Sequence, residues 1–311
     1  MIGKIVFWLV FLITLGALAY QVYQELPAEP VQLLKFTKDF GKKEIVDYGD
    51  TPVFAKNLRF NHKDISYNID SGCSSEKRKK MLRAFRVFES TFNGISFFKA
   101  DKATGDILVG CSDEFIDLGS HLFTAGEGGP SKIINAGQFN LIEQGKISLY
   151  RKIENCDYPI VELHELLHVF GFDHTQNPKS IMYNVSSCDQ RITPDMVEIM
   201  DRLYSFEALP DLVMKNLSVI QRGRYLDFNV TILNEGLLES PDFKLSIVIR
   251  GREIESFYFD ETDVGFGRTI RAVNVRLPSR NVETIKFVID RFNSIREFDE
   301  ENNVIQVRAK T

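Results

Sequence analysis

The strongest constraint on this chain is one short stretch, His164-Glu165-Leu166-Leu167-His168-Val169-Phe170-Gly171-Phe172-Asp173-His174, which holds three of its five histidines. His164 and His168 are four residues apart. On a helix they share one face and can offer both imidazoles to a single ion. The flanks encode such a helix: Pro159 suits a first turn, an apolar run follows from Ile160, and Gly171 suits a C-terminal cap. Glycine can leave the helix in a left-handed conformation at little cost, so the chain can turn back and bring His174 to the same ion. Three neutral imidazoles leave one tetrahedral position for water, the layout of a catalytic zinc site, where the metal lowers that water's pKa towards about 7. Glu165, next to His164, can take the water's proton. His62 and His121 have no partners in sequence and read as ordinary structural histidines.

The pattern HExxHxxGxxH, followed a short loop later by Ser180-Ile181-Met182-Tyr183, resembles the metzincin metallopeptidases. Thr175 after the third histidine, the Met-Tyr pair, and a closing helix signalled from Thr193 to Tyr204 are most similar to the matrixin branch. The resemblance spans about residues 57–205. It implies an α/β (α+β) domain with a mixed sheet and a zinc-binding helix. It also implies one catalytic Zn2+ on His164, His168 and His174, and Glu165 as general base on the zinc-bound water. Met182 would be an apolar base beneath the ligands, with Gly171 and Tyr183 structural near the site. The activity implied is endopeptidase cleavage of proteins or peptides, the substrate adding as a strand to a sheet edge around His121–Gly126. Glu127 and the glycine-rich run beside it either touch substrate or form a plain surface loop. Residues 21–56 contain no cysteine, so a propeptide thiol that caps the metal is not supported. No upstream His/Asp cluster matches the additional calcium and zinc sites many matrixins carry.

The first residues determine the compartment. After the short leader ending at Lys4, Ile5 to Tyr20 runs without a charge, and Val22 and Tyr23 extend the apolar character. A spanning helix needs about 20 apolar residues and a secretory h-region about 7–15. The segment reads as an uncleaved signal anchor (residues 1–24), with Trp8, Tyr20 and Tyr23 as interface anchors. The alternative is a cleaved signal peptide ending at Ala17-Leu18-Ala19, which would make the protein secreted. Either reading puts the rest of the chain outside the cytoplasm.

Residues 25–52, with Pro27, Pro30 and many charges, read as a linker ahead of a peptidase domain at 53–208. In that domain strands are expected at 65–69, 95–98, 106–110 and 146–150, and an amphipathic helix buries Leu82, Phe85, Phe88 and Phe92. Gly126–Pro130 reads as loop. Met196, Ile199, Met200, Leu203 and Tyr204 form the buried stripe of the closing helix. Cys73, Cys111, Cys156 and Cys188 are widely spaced and include no CxxC pair, which disfavours a thiolate metal site. Outside the cytoplasm they would form two disulfides, in any of three connectivities. A 156–188 bridge would clamp both ends of the metal segment and leave Cys73 with Cys111.

Beyond Pro210 about seven short β-rich runs alternate with turn signals, the pattern of an antiparallel sandwich. Asn229–Gly236 and Val288–Asn303 resemble the cell-adhesion-related (CARDB-type) immunoglobulin-like domain of prokaryotic surface proteins, over nearly all of residues 210–308 in a domain taken as 210–311. That implies spacing, adhesion or substrate docking. Asp299-Glu300-Glu301 is a possible Ca2+ site, although it lacks EF-hand spacing. The net charge of -5 argues against a nucleic-acid partner. The chain therefore reads as multidomain: a transmembrane helix, a metzincin-like domain and an all-β sandwich. The rival is a surface adhesion or scaffold protein with a non-catalytic metal-binding domain. Substrate and oligomeric state are not encoded in any recognisable motif.

Overall fold

The computed structural model describes residues 2–26, 30–35, 46–101, 104–114, 116–119, 122–150 and 156–309. They form two compact units, Gly41–Ala208 and Met1–Phe40 with Leu209–Thr311. In chain order the elements begin with helix α1 (Ile2–Glu25) and strand β1 (Val31–Lys35). The unit 41–208 then supplies β2 (Leu58–Arg59), β3 (Asp64–Ile69), α2 (Ser75–Thr91), β4 (Ser96–Lys99), β5 (Ile107–Cys111), β6 (Ile116–Gly119) and β7 (Leu122–Thr124). It is completed by β8 (Gly126–Ala136), β9 (Phe139–Leu149), α3 (Ile160–Val169) and α4 (Pro194–Ser205).

The sheet of this unit runs β2-β9-β5-β3-β4, all parallel, with β8 pairing antiparallel to β9. The glycine-rich run expected as loop is the start of β8, in register from Gly126 opposite Leu149 to Ala136 opposite Phe139. Long pairing with β9 satisfies the main chain that glycines leave without side-chain packing. Helix α2 is capped by Ser74, whose hydroxyl accepts from the Lys77 amide. It buries Met81, Ala84, Phe85 and Phe88, with Leu82 only partly covered. Phe88 lies against Phe170 at the end of α3, ring centres 4.5 Å apart, so the aromatic stripe of α2 braces the metal-motif helix. Helix α4 buries the five side chains expected of it. Arg59, itself buried, donates to the carbonyls of Phe60 and Leu203 and lies 4.5 Å from the Tyr204 ring centre, tying the first strand to the closing helix. Disulfides join Cys73 to Cys111 and Cys156 to Cys188.

The other unit contains β10 (Leu212–Arg222), β11 (Tyr225–Asn234), β12 (Phe243–Ile249), β13 (Arg252–Phe259), β14 (Gly267–Arg276), β15 (Thr284–Ile289) and β16 (Val304–Ala309). Their order is β13-β12-β15-β16-β1-β10-β11-β14, all antiparallel. The linker expected at 25–52 is corrected at both ends. Val31–Lys35 forms an eighth strand, Val31 and Gln32 pairing with β10 and Leu33–Lys35 with β16, and Leu33 is buried in the sandwich core. Val46 and Tyr48 are buried in the core of the 41–208 unit. Short apolar groups among prolines and charges resemble a tether in sequence. What makes them structural is that each finds an apolar surface and open backbone partners far along the chain.

Helix α1 includes a segment, Lys4–Glu25, long and apolar enough to cross a membrane, with mean hydropathy 2.2 and none of it buried. Apolar side chains exposed all round a helix match a hydrocarbon solvent better than water.

Candidate metal centre

Helix α3 starts after Pro159, which occupies the N-cap position, and ends at Phe170. Gly171 follows at φ +96°, a left-handed conformation, and its amide donates to the His168 carbonyl. A side chain here would also collide with Leu58, its Cβ falling 2.8 Å from Leu58 Cδ2, so glycine is required for both conformation and space. The turn carries the chain back to His174.

The three histidines converge. His168 Nε2 lies 3.0 Å from His164 Nε2 and 3.3 Å from His174 Nε2, and His164 Nε2 lies 3.2 Å from His174 Nε2. Nitrogens each about 2.0–2.1 Å from a tetrahedral ion stand about 3.3–3.4 Å apart, so the triangle is within a few tenths of an ångström of the size that suits a zinc ion. The rings are oriented from behind. His164 Nδ1–H donates to the Ile181 carbonyl at 2.6 Å, and His168 Nδ1–H donates to the Phe172 carbonyl at 2.7 Å. Each bond fixes the tautomer and leaves the Nε2 lone pair directed inward. Burial, with the neighbouring His168 and His174, pushes His164 down to about 4, and burial also lowers His168. Both are therefore neutral near pH 7, the form a metal needs.

Ser180 to Tyr183 forms a turn bonded to this cluster. Ile181 and Met182 are fully buried, and the Met182 carbonyl accepts from the Thr175 amide. The turn thus holds His164 through residue 181 and the backbone beside His174 through residue 182. Tyr183 is half-buried, its amide bonded to the Ser180 carbonyl.

Glu165 is buried, and burial pushes its carboxyl up to about 8, with the Glu127 and Glu162 carboxylates adding to the shift. A dication held by the histidines opposes that shift. Strand β8 passes directly over this residue. A Cβ on Gly126 would fall 2.7 Å from Glu165 Cγ, and one on Gly128 would overlap the Glu165 carbonyl. Gly145 of β9 meets Val169 of α3 in the same way. This role of Gly126, Gly128 and Gly145 is not announced by residue type; the one signal in the sequence is the spacing Gly126-x-Gly128, which places both on one face of a strand. Glu127, between the two glycines, accepts from the Tyr150 hydroxyl at 3.0 Å.

Among the described residues these three histidines are the single group of His, Cys, Asp or Glu ligand atoms that close together. The calcium site considered at Asp299-Glu300-Glu301 is not supported. Asp299 accepts the Glu301 amide and Glu300 accepts the Glu297 amide, so these carboxylates close a turn. His62 pairs with Asn61 and Asp106 instead of joining the centre, and His121 lies outside the described residues.

Comparison with protein families agrees with this geometry. Residues 59–205 match the family model for Matrixin, and residues 209–307 match that for CARDB. The two regions thus resemble a matrixin domain followed by a CARDB domain. Solved structures similar to it include the CARDB domain of a Pyrococcus furiosus protein, in complex with di-metal ions. That match has 18% identity and a TM-score of 0.25, and covers 32% of this chain and 88% of that one. A domain of a putative cell surface protein from Methanosarcina acetivorans matches at 16% identity and a TM-score of 0.26, covering 33% of this chain and 93% of that one. No curated protein matches the chain. The matrixin match supports metallopeptidase at the level of the family.

Proposed function

We propose that residues 53–208 are a zinc-dependent endopeptidase acting on extracytoplasmic proteins, tethered to the cell membrane by α1 and followed by the CARDB domain at 210–311. The observation that carries this is the Nε2 triangle of 3.0–3.3 Å with two of its rings locked from behind. His164, His168 and His174 would hold the metal. When bound, Zn2+ supplies Lewis acidity to the scissile carbonyl and charge stabilisation at its oxygen.

The residues of the chain do the rest. Glu165 sits one residue from a ligand on a rigid helix, under a strand that fixes its side chain. It accepts a proton from the attacking water at a carboxylate oxygen and returns it to the leaving amine. Strand β8, hydrogen-bonded to β9, offers its other edge beside Glu165 to an extended peptide, which would add as a further strand. Two disulfides and the apolar α1 favour an oxidising, extracytoplasmic setting. Cleavage of the leader would give a secreted form of the same enzyme.

Glu165→Ala tests the reading. Metal content and thermal stability should stay near wild type, while chelator-sensitive hydrolysis of a peptide library should fall by at least about 10²-fold. Equal rates in wild type and Glu165→Ala would remove the catalytic assignment and leave an adhesion or scaffold protein that binds metal.

A further inference from the structure

The last turn of α1 is gripped by the sandwich of its own unit. Arg224 Nη1 donates to Glu25 Oε1 at 2.7 Å, Arg276 donates to the same oxygen, and the Tyr225 hydroxyl donates to Glu25 Oε2 at 3.1 Å. The Arg280 guanidinium lies 4.3 Å from the Tyr23 ring centre and donates to the Tyr23 carbonyl, and its amide donates to the Gln24 side chain at 3.4 Å. Two guanidinium groups thus hold the Glu25 carboxylate, and a third lies against Tyr23 beside it.

Helix length fixes the depth of this cluster. The 22 residues from Lys4 to Glu25 rise about 33 Å, against a hydrocarbon core of about 30 Å. A helix spanning that core brings Tyr23 and Glu25 to the level of the headgroups. Whatever is hydrogen-bonded to them is at the same level. Arg224 is an internal brace, because it also donates to the carbonyls of Leu277 and Pro278. Arg276 has a side chain 62% exposed, and Arg280 flanks the exposed Pro278 and Asn281 region. A guanidinium has five donors, so each keeps N–H groups for a phosphate after its contact with the helix. The nearby Arg222 is neutralised by Asp227 and adds nothing.

We propose that Arg276 and Arg280, with the 278–281 loop, form a basic collar that seats this sandwich in the headgroup layer and binds the phosphates of anionic lipids. The proposal rests on the reading of α1 as a membrane span. It assigns the CARDB domain a membrane-facing side and one lipid class as partner.

The chain carries its own control, since Trp8, its sole tryptophan, lies in α1. Full-length protein in lipid nanodiscs is compared with acyl-chain-labelled and headgroup-labelled quencher lipids. Trp8 should be quenched by the acyl-chain label. In a Trp8→Phe background, the tryptophan of Asn281→Trp should be quenched by the headgroup label. That quenching should be about two-fold stronger with phosphatidylglycerol than with phosphatidylcholine alone. Arg276→Gln with Arg280→Gln, which retain donors but lose charge, should abolish the difference, as should Arg276→Glu with Arg280→Glu. Quenching of the Asn281→Trp probe that is absent or indifferent to phosphatidylglycerol, while Trp8 is quenched, overturns the collar and leaves the span intact. Trp8 untouched by the acyl-chain label overturns the span and the collar with it.

Discussion

Adding a single methyl group to Gly126 should separate catalysis from folding and from metal binding. Gly126 lies in β8 with a φ that any residue can adopt, so Gly126→Ala brings no backbone strain. Its Cβ would stand 2.7 Å from Glu165 Cγ, 2.8 Å from Oε1 and 2.9 Å from Cδ. Carbon atoms at rest are about 3.5–4.0 Å apart, so the carboxylate must retreat by roughly 0.8 Å. Displacements near 1 Å at a reacting group cost up to about 10²-fold in rate. We therefore expect kcat/KM to fall about 10- to 100-fold, or about 1.4–2.7 kcal/mol of transition-state stabilisation. The atoms displaced belong to the flexible end of one side chain, so stability should change by less than about 1 kcal/mol. The histidine nitrogens are untouched and zinc should stay at one equivalent. Gly129→Ala is the matched control, because a Cβ there meets nothing within 4 Å. The assays are chelator-sensitive peptide hydrolysis, metal analysis and thermal unfolding. Wild-type kcat/KM in Gly126→Ala, or equal loss in Gly129→Ala, would refute the claim that β8 sets the position of Glu165.

Two further outcomes concern the sandwich. Burial, then the charges of Asp299 and Glu235, pushes Asp211 up to about 6; burial, then Glu300 and Asp211, pushes Glu297 up to about 7. Both folded values exceed those of the unfolded chain, so the folded state binds more protons between about pH 4 and 7. The stability these groups contribute is complete below about pH 4 and is lost as pH rises through 6 to 7, on the order of 3 kcal/mol each. The sandwich should therefore melt at a lower temperature at pH 8 than at pH 5, with Glu297→Gln flattening the slope; a Tm that rises over this range contradicts the burial argument. Leu33→Asp puts a carboxylate into the sandwich core and should destabilise that domain by about 3 kcal/mol or more, whereas an unchanged unfolding curve would mean that Val31–Lys35 contributes no strand.

Much of the candidate metal centre was legible in the sequence because its geometry is local. A spacing of four on a helix, a glycine able to take positive φ and a third histidine three residues on bring the three imidazoles to one point without any distant partner. The stripe of α4 and the seven strands after Pro210 were legible for the same reason, since periodicity reports a buried face wherever that face packs. Long-range contact decided everything else. The carbonyls of Ile181 and Phe172 that orient two of the rings are backbone groups, which no residue type announces. Gly126–Gly129 read as a loop because glycine is a weak strand former, and it became a strand because β9 was there to pair with and α3 too close to admit a side chain. Val31–Lys35 read as linker because a strand without its neighbours is only a few apolar residues, and the neighbours it joins, β10 and β16, begin about 180 and 270 residues later. The sequence determined which atoms could meet within a turn or two of helix; only the tertiary structure decided which distant backbone and which buried surface they met.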